Sequence, residues 1–123
     1  MSDRNKIEKG YTKEVKVTWT DVMHFVDKMV EEYKDKPITG IYGVPKGGLI
    51  IATILAYRLK VPLLLAPCKG CIVFDDICDT GKTLLHYAEE GYEIVTMFHV
   101  PFSHVIPNFC YMQTTDWMVF PWE

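Results

Sequence analysis

At 123 residues, with a net charge of −3, 49% hydrophobic and 24% charged residues, the chain has the composition of one globular unit. A chain of this size buries about two-thirds of its unfolded surface and is too short for two cores. Acids and bases are interspersed, so no basic stripe is offered to nucleic acid; the longest uncharged apolar run, Gly47 to Tyr57, falls far short of the roughly twenty residues that span a bilayer. With a charged amino terminus and no apolar signal region, no membrane partner and a cytoplasmic setting are expected.

Taken in chain order, residues 1–14 are polar and read as an irregular or edge segment. Thr18 followed by Asp21 marks a helix start, and Val22, Phe25, Val26, Met29, Val30 and Tyr33 then recur at helical spacing on one face. Pro37 closes the connection, and Ile38 to Tyr42 is expected to be the first central strand. Gly43 to Gly48 is a loop. Leu49 to Leu59 is apolar on nearly all sides, which suits a helix packed between the sheet and another surface, such as a second subunit. Val61 to Leu65 is the second strand and Ile72 to Phe74 the third, the latter an apolar run that suits burial on both faces of a parallel sheet. Thr83 to Glu90 forms the following helix and Ile94 to Phe98 the fourth strand. This alternation predicts an α/β fold, a mostly parallel central sheet flanked by helices, with ligands outside the carboxyl ends of its strands.

The stretch CIVFDDICDTGKTL, Cys71 to Leu84, carries the chemistry. Asp75 and Asp76 are expected at the carboxyl end of the third strand. Asp79, Thr80, Gly81, Lys82 and Thr83 then make a turn whose backbone N–H groups point outward at a helix start, where the dipole is positive, so an anionic phosphate fits. Two carboxylates beside a phosphate repel it unless a divalent cation or ribose hydroxyls lie between them, which points to a sugar phosphate with a metal. A nucleotide-triphosphatase P-loop is excluded: it needs a glycine five positions before Gly-Lys-Thr, where this chain has Asp76. A haloacid-dehalogenase phosphatase needs its aspartates one residue apart, whereas two residues separate Asp76 from Asp79.

The loop Pro45-Lys46-Gly47-Gly48 is a second phosphate cradle, because consecutive glycines at a helix start let backbone approach an anion while Lys46 adds positive charge. Cys68 and Cys71 form a C-x-x-C, but zinc needs two further ligands at suitable spacing. His99 and His104 lie near Pro101 and Pro107 in what reads as a surface loop. With no framework spacing among Cys68, Cys71, Cys78 and Cys110, reduced thiols are expected.

The Asp-Asp-x-x-Asp-Thr-Gly run after an apolar strand resembles the diphosphate-sugar signature of type I phosphoribosyltransferases. The Pro45–Gly48 loop is similar to that family's pyrophosphate loop, which often carries a non-proline cis peptide, here Pro45–Lys46. The tail Thr115-Asp116-Trp117-Met118-Val119-Phe120-Pro121-Trp122-Glu123 looks like the C-terminal hood of the xanthine, guanine and hypoxanthine branch. The resemblance runs from about Val17 to Glu123 and implies a single phosphoribosyltransferase-like domain over 1–123, with a small hood at about 101–123. It implies transfer of a phosphoribosyl group from 5-phosphoribosyl diphosphate to a purine base with loss of pyrophosphate, as in nucleotide salvage, by a homodimer using magnesium. Carried over by position, Asp75 and Asp76 face the ribose hydroxyls and the magnesium shell. Asp79, Thr80, Gly81, Lys82 and Thr83 surround the 5′-phosphate, and Pro45, Lys46, Gly47 and Gly48 hold the pyrophosphate. Asp79 is the proton acceptor beneath the base, and Trp117 stacks on it.

Two departures stand out. Only Ala66 to Gly70 joins the second and third strands, where family members usually insert a long mobile loop that closes over the reacting centre. Val100 occupies the place of the lysine that contacts the base's exocyclic oxygen, with His99 as the candidate replacement. The alternative reading is a non-catalytic or regulatory nucleotide-binding module that has lost its lid.

Overall fold

The computed structural model describes residues 10–123. Among them the elements run β1 (Glu14–Lys16), α1 (Trp19–Tyr33), β2 (Ile41–Gly43), α2 (Gly47–Leu59), β3 (Leu63–Leu64), β4 (Ile72–Cys78), α3 (Lys82–Glu89), β5 (Glu93–His99), β6 (Phe109–Gln113) and β7 (Trp117–Val119). Five strands form a parallel sheet in the order β3-β2-β4-β5-β6. The expected mostly parallel sheet flanked by helices is what the chain forms. No helix among the described residues is long and apolar enough to cross a membrane.

Helix α1 begins where the sequence marks it. The Thr18 hydroxyl accepts from the Asp21 amide at 3.1 Å while the Asp21 carboxylate accepts from the Thr18 amide at 2.9 Å, so two of the helix's orphan donors are satisfied reciprocally. Its stripe of Val22, Phe25, Val26 and Met29 is fully buried together with Ile51, Ala52 and Leu55 of α2 and Ile72, Phe74, Val95 and Met97 of the sheet. Phe25 stacks on Phe74 with ring centroids 5.7 Å apart. On the opposite face Leu84 of α3 packs with Val44, Val73 and Ile94.

The structure departs from the sequence reading in three places. Strand β4 does not stop at Phe74 but continues through both aspartates to Cys78, because β5 offers a continuous parallel partner, with Asp75 opposite Thr96 and Cys78 opposite His99. Tertiary pairing overrides the poor strand propensity of aspartate. Within the segment expected to form the hood, Phe109–Gln113 instead extends the main sheet as its edge strand against β5. Finally, β1 pairs in parallel with β7, Glu14 opposite Trp117 and Lys16 opposite Val119, so the smaller sheet draws on both ends of the described chain. The rest of the polar segment read as irregular or edge includes residues 1–9, which lie outside the described residues.

Truncation of Phe74 removes the ring that joins α1 to the central strand. Phe74→Ala is expected to lower the unfolding free energy by about 3–5 kcal/mol, and Thr18→Ala by about 1 kcal/mol, both read from the midpoint of urea denaturation.

Candidate active site

From β2 the chain passes outward to β3, and then returns to lay β4 on the other side of β2. The connections leaving β2 and β4 therefore diverge around a crevice at the carboxyl edge of the sheet, the position where open α/β sheets take ligands. A cavity of about 320 Å³ opens there, lined by Pro45 and Gly47 from the first loop, Asp75 and Asp76 from the strand, and Asp79 to Thr83 from the second loop. The two sequence motifs, separated by more than one element along the chain, thus meet in one space. Lys46, exposed at the start of α2, and the buried Gly48 do not line it.

Close packing explains the small residues. A Cβ at Gly47 would sit 2.5 Å from an Asp76 carboxylate oxygen, so a larger residue there displaces that carboxylate. The Pro45–Lys46 peptide is cis, as the family resemblance implies. Gly48 donates its amide to the Val44 carbonyl at 2.8 Å, which closes the turn into α2. Gly81 opens α3 at φ +82, a conformation that L side chains rarely adopt, and a Cβ there would meet Ser103 Oγ at 2.8 Å. The loop that crowds it is anchored by the His104 amide donating to the Thr80 carbonyl at 3.0 Å.

The acid pair is held by backbone. The Asp76 amide donates to Asp75 Oδ1 at 2.9 Å and the Ile77 amide to Asp76 Oδ1 at 2.8 Å. Burial, and then the neighbouring Asp76 charge, push the Asp75 carboxyl well above the usual carboxylate range. Burial also raises Asp76, with the charge of Glu123 acting in the same direction. Buried like charges of this kind call for a cation. Among the described residues no group of three or more His, Cys, Asp or Glu side chains is placed to hold a metal ion. The donor set of two adjacent carboxylates beside a phosphate-sized cavity fits magnesium, an ion that keeps few protein ligands and takes the rest from water and substrate oxygens.

His99 is buried, not on a wet surface: it is 4% exposed, its Nδ1 lies 3.5 Å from the Gln113 amide nitrogen, and it does not line the cavity. Burial lowers its pKa, which favours the neutral ring. The strand continues to it, where sequence had placed a loop. Val100 behind it is fully buried.

Trp117 does not line the cavity either, but a residue that sequence reasoning passed over connects it to the site. The Thr12 amide donates to the Thr115 carbonyl at 2.9 Å and the Trp117 amide to the Lys13 carbonyl at 2.6 Å, which brings Tyr11 beside the tryptophan. The two rings stand edge-to-face at 4.8 Å and 88°, and Phe102 flanks Tyr11 at 5.9 Å. The Tyr11 hydroxyl is buried with no hydrogen-bond partner among the described residues, and burial, followed by the Asp79 charge, pushes it far above the usual phenol range. No local signal marks Tyr11; only the pairing of β1 with β7, a hundred residues away, places it.

No protein-family model matches the sequence. An adenine phosphoribosyltransferase of Treponema denticola is 40% identical over 45 residues, 37% of this chain and 24% of that protein. The match thus spans about a quarter of the length of this curated relative. Among solved structures, the purine phosphoribosyltransferase of Pyrococcus horikoshii superposes with a TM-score of 0.80 at 28% identity, covering 91% of this chain and 95% of that one. The xanthine-guanine-hypoxanthine phosphoribosyltransferase of Helicobacter pylori superposes with a TM-score of 0.68 at 16% identity, covering 89% and 94%. The chain has the α/β fold of type I phosphoribosyltransferases, and the curated relative and both of these structural neighbours are phosphoribosyltransferases, glycosyltransferases that move a pentosyl group.

The raised carboxyl pair fixes a pH dependence. A native carboxyl that keeps its proton where the unfolded chain has lost it weakens folding as pH rises out of the usual carboxylate range, so stability is expected to fall from about pH 4 towards neutrality. Asp75→Asn keeps the acceptor for the Asp76 amide and removes one charge. It is expected to raise Tm by about 3–6 °C at pH 7 and to leave it unchanged near pH 3, as read by thermal melts at both values.

Proposed function

We propose that this chain transfers the phosphoribosyl group of 5-phosphoribosyl diphosphate to a purine base of the xanthine, guanine or hypoxanthine type, releasing pyrophosphate. The observation that carries the reading is the meeting of the first loop, through Pro45 and Gly47, the Asp79–Thr83 turn and a partly buried acid pair in one cavity at the switch point of the sheet. An acid pair that is costly on its own is accounted for by a ligand that brings hydroxyls and a cation.

In this reading the turn from Asp79 to Thr83 holds the 5′-phosphate, with backbone N–H groups and the Thr80 and Thr83 hydroxyls as donors at the positive end of α3. Asp75 and Asp76 orient the ribose through its hydroxyls, and they are also the residues that would hold magnesium. When bound, that ion neutralises the leaving diphosphate. Pro45 and Gly47, which line the other side of the cavity, receive the diphosphate there, while Gly48 closes the turn behind them and Lys46 lies exposed at the start of α2. The bond from the anomeric carbon to the diphosphate oxygen breaks as the bond to a ring nitrogen of the base forms. Asp79 takes the proton of that nitrogen, and its negative charge stabilises the positive charge that develops on the anomeric carbon. Trp117 offers a flat indole on which a base can stack, a contact that contributes roughly 1–3 kcal/mol in other base-binding sites.

A second reading, a nucleotide-binding module without turnover, is favoured by one feature. Residues 65–71 join β3 directly to β4 and are tied at the amino edge of the sheet, where Thr39 Oγ1 donates to the Lys69 carbonyl at 2.9 Å and the Thr39 amide to the Gly70 carbonyl at 3.1 Å. A segment anchored at that edge does not close over the cavity. A second copy of the chain is the proposed source of cover and the proposed partner. Helix α2 is apolar around its circumference and buries one side only, leaving Leu49, Ile50 and Tyr57 exposed, as Leu63 and Leu65 also are.

The deciding measurement is pyrophosphate release from 5-phosphoribosyl diphosphate and magnesium with hypoxanthine, guanine, xanthine, adenine, uracil or orotate in turn. Release that requires a purine is expected; nucleotide binding with no release would establish the second reading. Asp79→Asn is expected to lower kcat by at least about 100-fold while nucleotide affinity changes little, and retained activity would remove Asp79 as the proton acceptor. For the proposed dimer, Tyr57→Glu with Leu65→Glu is expected to shift the sedimentation coefficient from dimer to monomer.

A further inference from the structure

We propose that Cys68 and Cys71 are an oxidisable pair that closes into a disulfide by exchange with a small-molecule disulfide, a modification site apart from the cavity and independent of the reaction proposed for it. The C-x-x-C lacks the further ligands that zinc needs: among the described residues no group of three or more His, Cys, Asp or Glu side chains is placed to hold a metal ion. Its backbone is folded for a bridge instead. The Cys71 amide donates to the Cys68 carbonyl at 3.1 Å, and Gly70 takes φ +83 at the third position, which makes Cys68 to Cys71 a β-turn of type II. The Cα atoms at the two ends of a β-turn lie within about 7 Å of each other, and a disulfide spans about 4.4–6.8 Å between Cα atoms. The turn therefore sets its two cysteines at bridging range before any bond forms. Side-chain direction agrees, because Cys71 Sγ accepts from the Cys68 amide at 3.4 Å, so that sulfur is folded back over the residue it has to reach.

The turn is also held from outside. The Thr39 amide donates to the Gly70 carbonyl at 3.1 Å, its hydroxyl donates to the Lys69 carbonyl at 2.9 Å, and Thr39 Oγ1 lies 3.6 Å from Cys68 Sγ. A loop already closed by hydrogen bonds has little chain entropy left to lose on bridging. Unequal exposure divides the roles, since Cys68 is exposed and Cys71 is 2% exposed. The Cys68 thiolate attacks one sulfur of the incoming disulfide, forming a mixed disulfide and expelling one thiolate. The Cys71 thiolate then attacks the Cys68 sulfur, which breaks the mixed disulfide and expels the second. Two electrons and two protons leave the pair, and the incoming disulfide takes them up as two thiols. Cys78 stands at the other end of β4, with its Sγ 3.0 Å from Ser103 Oγ, and Cys110 stands on β6, two strands from β4, so neither competes for the bridge.

The test treats the whole chain with oxidised glutathione, alkylates the remaining thiols and digests with trypsin. Cleavage after Lys69 falls inside the turn, so a bridged chain yields peptides 61–69 and 70–82 joined through sulfur. Peptide 70–82 also carries Cys78, and fragmentation of the joined pair locates the bond. Loss of two alkylatable thiols is expected, with a Cys68–Cys71 bond and full recovery of both thiols in dithiothreitol. Cys71→Ser is expected to stop at the mixed disulfide and keep one glutathione on Cys68, whereas Cys68→Ser is expected to leave Cys71 unmodified. A wild-type chain that retains glutathione on Cys68 without closing, a bridge to Cys78 or Cys110, or no loss of thiols at all overturns the proposal.

Discussion

The parallel pairing of β2 with β4 is the constraint on which everything else depends. Gly43 lies opposite Phe74, and the Val44 amide donates to the Phe74 carbonyl at 2.8 Å, so the loop leaving β2 starts level with the residue that precedes the acid pair. From that register the next turn of chain passes close to Asp76, so that a side chain at Gly47 would displace its carboxylate. A slip of one residue would turn each β4 side chain to the other face of the sheet and separate the two loops. The core on both faces, Phe74 under α1 and Val73 under α3, locks the same register from below.

Placing two carboxylates in such a strand works against folding. Asp75 and Asp76 are partly buried, next to each other, and both raised towards protonation. The chain tolerates them because the following amides hold them in place and because the cavity gives them a polar side. Groups that oppose stability yet are held in register are a mark of a binding function, since a stacked apolar pair at those positions would serve the fold better. The same trade-off appears in α2, where Leu49, Ile50 and Tyr57 are left exposed.

Covering the cavity is where this chain differs most from what its resemblance implies. The connection after β3 is short and fastened at the far edge of the sheet, and the pairing of β1 with β7 gathers Tyr11, Phe102 and Trp117 into one aromatic cluster outside the cavity lining. That cluster, assembled from the two ends of the described chain, is local in space but remote in sequence.

How far the site was legible follows from the range of the forces involved. The capping box of Thr18 and Asp21, the helical stripe of α1, and the Asp-Thr-Gly turn at the start of α3 are set by interactions within a few residues, and these stand in the structure where the sequence puts them. The order of strands in the sheet, the extension of β4 through its aspartates, the recruitment of Phe109–Gln113 to the sheet edge, and the burial of His99 all depend on a partner strand supplied from elsewhere. Backbone hydrogen-bonding groups take whatever neighbour the packed sheet provides, so strand length and membership are not local properties. By itself, then, the sequence determined the motifs, the helices and the α/β alternation. The tertiary structure alone decided that Pro45, Gly47, Asp76 and Thr80 share a cavity and that Tyr11 lies beside Trp117, because those proximities arise only when chain segments far apart in sequence bury their apolar faces against one another.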